Sequence, residues 1–175
     1  MSRKSILLAG LSLLILGSIY AFTMANPSKA TVDTTKIKWY TLEEATELNK
    51  TNKKKFAIDI YTSWCHWCKV MDKETFTDPA VIEYMNEHFY AIKFDAESKD
   101  NITFQGKDFK FVNAGRRGIN TLAYFLLDGK TAYPTIVYLD EDLNKVKKSP
   151  GFKKPNQMVE ELRSIESSAT PVTGS

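Results

Sequence analysis

The apolar positions of this chain fall in short blocks, and their period changes from block to block. Leu42, Ala45 and Leu48 recur at helical spacing behind Thr41 and Glu44, which form a T-x-x-E capping box, so a short helix is predicted over 42–51. Lys53, Lys54 and Lys55 then read as a solvated turn. The run FAIDIY (56–61) is apolar and rich in β-formers, the mark of a buried strand, with Asp59 as its one polar residue. Asp78 and Pro79 supply an N-cap and first position for the next helix, which AVIEYMNEHF continues. FYAIKF (89–94) predicts a second strand, ending at Asp95.

Residues 96–118 interrupt this alternation. Two short β-like runs flank Gln105, Gly106, Lys107 and Asp108 and predict a small hairpin. Its aromatics Phe104, Phe109 and Phe111 are expected to form a satellite core beneath it; the alternative is a binding surface. A helix follows at about 120–127, stopped by Gly129. PTIVYLD, opened by Pro134, predicts a third buried strand, and the turn at 141–144 leads to a fourth, edge-like strand at 145–149 that Gly151 breaks. Met158, Val159, Leu162 and Ile165 predict a final amphipathic helix over 155–167. The order strand, helix, strand, then strand, strand, helix predicts an α/β domain with a mixed central sheet flanked by helices.

The N-terminus places Arg3 and Lys4 before an apolar run from Ile6 to Leu16, broken only by Gly10 and Ser12, and small residues follow. That is the pattern of an export signal. Thr23 and Ala25 stand in the small-x-small relation of a cleavage site, with Ala21 a further candidate, so residues 1–25 are expected to be a signal peptide. The alternative is an uncleaved anchor: residues 6–24 come close to the ~20 needed to span a bilayer. Residues 26–37 are expected to be a polar linker, 38–167 the folded domain and 168–175 a disordered tail. Loss of Arg3 and Lys4 would leave 22 of the 24 Lys+Arg against 21 Asp+Glu, a near-neutral balance that gives no reason to expect a nucleic-acid partner.

Export changes how the only two cysteines are read, because disulfides persist outside the cytosol. Both lie in TSWCHWCKV (62–70), as Cys65-His66-Trp67-Cys68. A bridge between them closes a very small loop, so it stabilises little. A zinc site needs about four ligands, and only His66 and the distant His88 remain, so no metal is expected. A reversible couple fits better. A helix beginning near Cys65 sets Cys68 one turn along the same face, and the helix N-terminus stabilises a thiolate at Cys65, the expected nucleophile. His66 would lower that thiol's pKa further if protonated; otherwise it is an exposed helix residue. Asp59, buried in a strand, would have a raised pKa and could take the proton of Cys68 as that thiol attacks a mixed disulfide; the alternative is a solvent-facing strand-edge carboxylate.

Taken together, FAIDIY with its Asp, W-C-x-x-C, a strand ending in Asp95, Tyr133-Pro134-Thr135 opening a strand, and Gly151 before a last helix resemble the thioredoxin fold over roughly residues 38–166. DIYTSWCHWCKVMDKETFTDPAVIEYMNEHF is most similar to exported thioredoxin-like domains exemplified by the C-terminal periplasmic domain of the disulfide reductase DsbD. The resemblance implies Cys65 as nucleophile, Cys68 as resolving cysteine, Asp59 as buried acid and Pro134 as a cis-proline facing the disulfide. It also implies a hairpin-plus-helix insertion before the cis-proline strand, since 96–128 exceeds what a minimal thioredoxin needs. Trp64, His66, Trp67, Tyr133 and Pro134 are then expected to meet the substrate, Tyr133 through its backbone. His66-Trp67 replaces the Gly-Pro of cytosolic thioredoxins and the Gly-His of disulfide isomerases. The implied activity is an exported thiol-disulfide oxidoreductase, leaning reductase, with no bound cofactor, exported protein disulfides as substrates and a membrane electron carrier to recharge it. An oxidase or isomerase of the same fold, or a non-catalytic binding module, are the alternatives.

Overall fold

In the computed structural model, residues 35–168 are described. The expected signal peptide, most of the linker and the tail beyond Ser168 lie outside them. A five-stranded sheet runs in the order β1 (Trp39–Tyr40), β3 (Phe89–Asp95), β2 (Lys55–Tyr61), β8 (Thr135–Leu139), β9 (Lys145–Pro150). The first three strands are parallel, β8 is antiparallel to β2, and β9, antiparallel to β8, runs in the direction of the first three. This is the thioredoxin fold, with the mixed sheet predicted. The two-residue β1 carries too little periodicity to be read from sequence.

Side-chain alternation along the strands divides the core between the two faces. Phe56, Ile58 and Ile60 of β2, Tyr90, Ile92 and Phe94 of β3, and Val137 and Leu139 of β8 pack with α1 (Leu42–Asn49) and α4 (Thr121–Leu126). Ala57, Phe89, Ala91, Ile136 and Tyr138 face the other way, onto Met71 of α2 (His66–Glu74), α3 (Pro79–His88) and α5 (Pro155–Ser167). Ile37, read as linker, is buried in this second cluster. The predicted caps are in place: Thr41 and Glu44 form a capping box, and Asp78 accepts from Ala80 and Val81 N–H.

Three readings need correction. Lys55 is not in a solvated turn: it begins β2, buried, and its ammonium donates to the carbonyls of Ile165, Glu166 and Ser168 at the end of α5. The insertion holds two hairpins rather than one. The predicted one pairs β4 (Ile102–Phe104) with β5 (Lys107–Phe109) through a turn with Gln105 at φ 50° and Gly106 at φ 71°, the positive values that the tightest hairpin turns require. The second pairs β6 (Phe111–Ala114) with β7 (Arg117–Asn120). The insertion aromatics also form no satellite core. Phe104 and Phe109 join the main cluster with Phe56 and Ile58, and Phe111 lies half-buried over Gly118. Among the described residues no helix is long and apolar enough to cross a membrane.

Candidate functional site

β2 ends at Tyr61, and Thr62 to Trp64 carry the chain into α2. Cys65 is the N-cap of α2: its N–H donates to Thr62 O at 3.1 Å, and its sulfur accepts from Cys68 N–H at 3.1 Å. Cys65 and Cys68 form a disulfide with a Cα–Cα distance of 5.4 Å, and they are only 5% and 3% exposed. On reduction, Cys65 would sit where the first-turn N–H groups and the helix dipole favour a thiolate.

Asp59 shares its face of β2 with Ala57 and pairs in register with Lys93 of β3 and Ile136 of β8. It is 2% exposed, so it is no solvent-facing edge residue. Its Oδ1 and the Thr62 hydroxyl are buried and have no hydrogen-bond partner among the described residues. Lys93 Nζ stands 3.6 Å from Asp59 Oδ2, too far for a hydrogen bond, so the attraction is Coulombic. The same ammonium contacts the carboxylate of Asp72 on α2 and lies 5.1–5.6 Å from the ring centroids of Tyr61, Trp39 and Phe76. Burial pushes the Asp59 carboxyl up to about 7; Lys93 opposes that shift and Asp72 adds to it. Lys93 and Asp72 were missed in the sequence. The lone lysine of FYAIKF, opposite the lone aspartate of FAIDIY, was the available signal.

Pairing of Ile60 with Thr135 brings the start of β8 to the end of β2 from which the chain runs to Cys65. The Tyr133–Pro134 peptide there is cis, as the resemblance implied, and Pro134 O accepts from Gly151 N–H at 2.8 Å. Two exposed tryptophans flank the cysteines. Trp67, 56% exposed, has the rings of Phe152 5.6 Å and His66 5.7 Å away. His66 is exposed. Trp64, 46% exposed, meets Tyr133 edge to face at 5.9 Å, donates its indole N–H to Glu97 at 3.0 Å and lies under the Arg117 guanidinium at 4.4 Å. Glu97 and Arg117 come from the insertion, and no sequence signal pointed to them. His88 is the last residue of α3, distant in sequence from the cysteines.

A family model described as Thioredox_DsbH, a protein of unknown function (DUF255), matches residues 26–169. The chain belongs to this family. Among solved structures, the Thioredox_DsbH chain is similar to one titled DsbH Oxidoreductase, with a TM-score of 0.54 and 16% identity over 75% of this chain and 85% of that one. It is likewise similar to a thioredoxin from Thermus thermophilus, with a TM-score of 0.55 and 17% identity over 74% and 87%. At these identities the likeness is one of fold. Among curated proteins, the uncharacterized protein B0495.5 of Caenorhabditis elegans is 31% identical over 111 residues, 63% of this chain. Spermatogenesis-associated protein 20 of Rattus norvegicus is 28% identical over 67 residues, 38% of this chain. The matches span only 13% and 8% of those relatives' lengths.

This member of Thioredox_DsbH therefore carries a thioredoxin-like disulfide oxidoreductase fold with a Cys65–Cys68 pair at the start of α2. Such an arrangement can exchange disulfides: one sulfur at the open helix end, a second one turn along, and a buried carboxyl that can take up and release a proton near neutral pH.

Proposed function

We propose that the protein is an exported thiol-disulfide oxidoreductase that reduces disulfides of other exported proteins. The observation that carries this is the Cys65–Cys68 disulfide at the N-cap of α2, with a buried carboxyl of raised proton affinity on the strand that leads to it. In the reduced protein the Cys65 thiolate attacks one sulfur of a substrate disulfide; a mixed disulfide forms and the other substrate sulfur leaves as a thiolate. Cys68 then gives its proton to Asp59 and attacks Cys65, so the Cys65–Cys68 disulfide forms and the second substrate thiolate departs. Two electrons pass to the substrate, and a dithiol in a membrane electron-transfer protein returns them. Trp64, His66, Trp67, Tyr133 and Pro134 meet the substrate, with the Tyr133 backbone alongside its extended segment. The N-terminal basic and apolar run supports export, and the sequence likeness of 59–89 to the DsbD C-terminal domain supports the reducing direction.

Insulin reduction and covalent trapping test the reading together. Wild type should turn insulin over. Cys68→Ser in the native compartment should carry discrete adducts on non-reducing gels that collapse with reductant, and Cys65→Ser should carry few. A membrane electron-transfer protein among the adducts supports reduction; a quinone-linked oxidant there reverses the direction. If neither variant traps anything and insulin stays intact, the protein is not an oxidoreductase.

A further inference from the structure

A pocket of about 480 Å³ is lined by Trp64, the residue before Cys65, by Tyr133 and the segment that leads to it, and by residues of the insertion. The volume is within the range of about 300–1,000 Å³ found for ligand pockets, enough for one large side chain and some flanking backbone. Ile119, Tyr124, Ala114 and Ala132 make much of its lining apolar. Its two charges satisfy each other and the wall: Arg117 Nη1 is 3.8 Å from Glu97 Oε1, Glu97 accepts the Trp64 indole N–H, and Arg117 covers the Trp64 ring. The pocket therefore presents no net charge for a charged ligand to meet.

The wall next to the nucleophile is fixed before anything binds. Trp64 is about half exposed, yet three partners hold it: Glu97 at its N–H, Arg117 on its face and Tyr133 at its edge. The opposite wall is shaped with equal closeness. Phe111 packs so tightly on Gly118 that a Cβ there would fall 1.8 Å from the ring, and this contact sets the ribbon that carries Arg117 and Ile119. An immobilised aromatic wall costs a ligand little ordering entropy.

We propose that this pocket receives a large apolar side chain of the substrate, on a residue flanking its reacting cysteine, and that the insertion thereby selects which disulfides are attacked. Three observations fix the occupant. The pocket continues directly from Trp64 and Tyr133, the residues before Cys65 and the cis-proline, so what enters it belongs to the segment joined to Cys65. Its lining is apolar, and its charges are internally paired. The assignment holds only if Cys65 is the reacting group, as in the proposed function.

The test uses full-length Cys68→Ser protein, whose Cys65 thiolate attacks peptides in which a single cysteine is capped with thionitrobenzoate. The attack joins Cys65 to the peptide sulfur and releases the coloured thionitrobenzoate anion, so atoms and electrons balance. Peptides carry Gly, Phe, Leu, Asp or Lys beside the cysteine, on either side. The quantity read is the ratio of each rate constant to that of the Gly peptide on the same protein, so any change in Cys65 reactivity divides out. Phe and Leu should exceed Gly by about tenfold or more on one side, the scale of discrimination that apolar pockets reach. Asp and Lys should gain nothing. Ala114→Trp and Ala132→Trp, each filling the pocket from an exposed position on a different segment, should bring the Phe ratio close to one. A Phe ratio within about twofold of Gly in the unfilled protein overturns the proposal, as does a ratio that neither filling changes. A preference for Asp over Phe replaces it with anion recognition by Arg117. If no peptide releases thionitrobenzoate, Cys65 is not a reactive thiol and the proposed function fails together with the pocket.

Discussion

At the scale of single residues, Asp59 is the most informative position because burial has changed its chemistry. Its carboxyl titrates near 3.8 when solvated and at about 7 in the fold. Between those values the folded chain binds more protons than the unfolded one, so this group's contribution lowers stability as pH rises through the window. The cost at pH 8 is on the order of 4 kcal/mol and vanishes below about pH 4. Urea denaturation of the oxidised protein should therefore show Asp59→Asn clearly more stable than wild type at pH 8 and nearly equal to it at pH 4. The same variant should leave the first attack by Cys65 largely intact and slow release of the mixed disulfide, because the lost proton acceptor serves Cys68. Equal stabilities at pH 8 together with an unslowed release would remove Asp59 from the mechanism.

Among elements, α5 and β2 are joined by a contact between residues 110 or more apart in sequence. Lys55 Nζ donates to Ile165 O at 2.7 Å, Glu166 O at 3.0 Å and Ser168 O at 2.6 Å, which completes the carbonyls a helix end otherwise leaves open. Lys55→Met keeps the buried length of the side chain and removes all three bonds. Hydrogen bonds from charged donors contribute about 1.5–3 kcal/mol each, but some of the freed carbonyls will reach solvent at the end of the helix. The expected loss is about 2–3 kcal/mol, accompanied by faster hydrogen exchange in the last turn of α5. Unchanged exchange there would mean that the apolar face of α5, with Met158, Leu162 and Ile165, holds the helix end unaided.

For the molecule as a whole, stability comes from two apolar clusters on opposite faces of the sheet, and the disulfide adds little. A bridge across a sequence separation of 3 removes only a small loop entropy from the unfolded chain, on the order of 2 kcal/mol. The reduced protein should stay folded, with a thermal midpoint roughly 5–10 °C below that of the oxidised form. A reduced form that unfolds at room temperature would make the bridge structural and argue against a cycle between two folded redox states.

Much of this protein was already legible in its sequence, because the features concerned depend on neighbours close along the chain. Continuous apolar, β-former-rich runs marked β2, β3 and β8, helical apolar spacing marked α1 and α5, and the capping residues Thr41 and Asp78 marked where α1 and α3 start. The C-x-x-C spacing placed two sulfurs on one helix turn, and a lone aspartate in an apolar strand announced its own burial. What depends on distant pairing was hidden. Lys55 looked solvated because the carbonyls it binds lie 110 or more residues away. Lys93 and Asp72 joined Asp59 only through strand register and the packing of α2 on the sheet. The β6–β7 ribbon has no apolar alternation of its own, and Arg117 and Glu97 meet Trp64 only after the insertion folds back against the cysteine segment. Local apolar pattern, capping residues and the C-x-x-C spacing determined most of the elements and the redox pair. The environment that sets the proton affinity of Asp59 and the walls of the neighbouring pocket were decided by tertiary structure, because burial and charge–charge distance are properties of the packed chain.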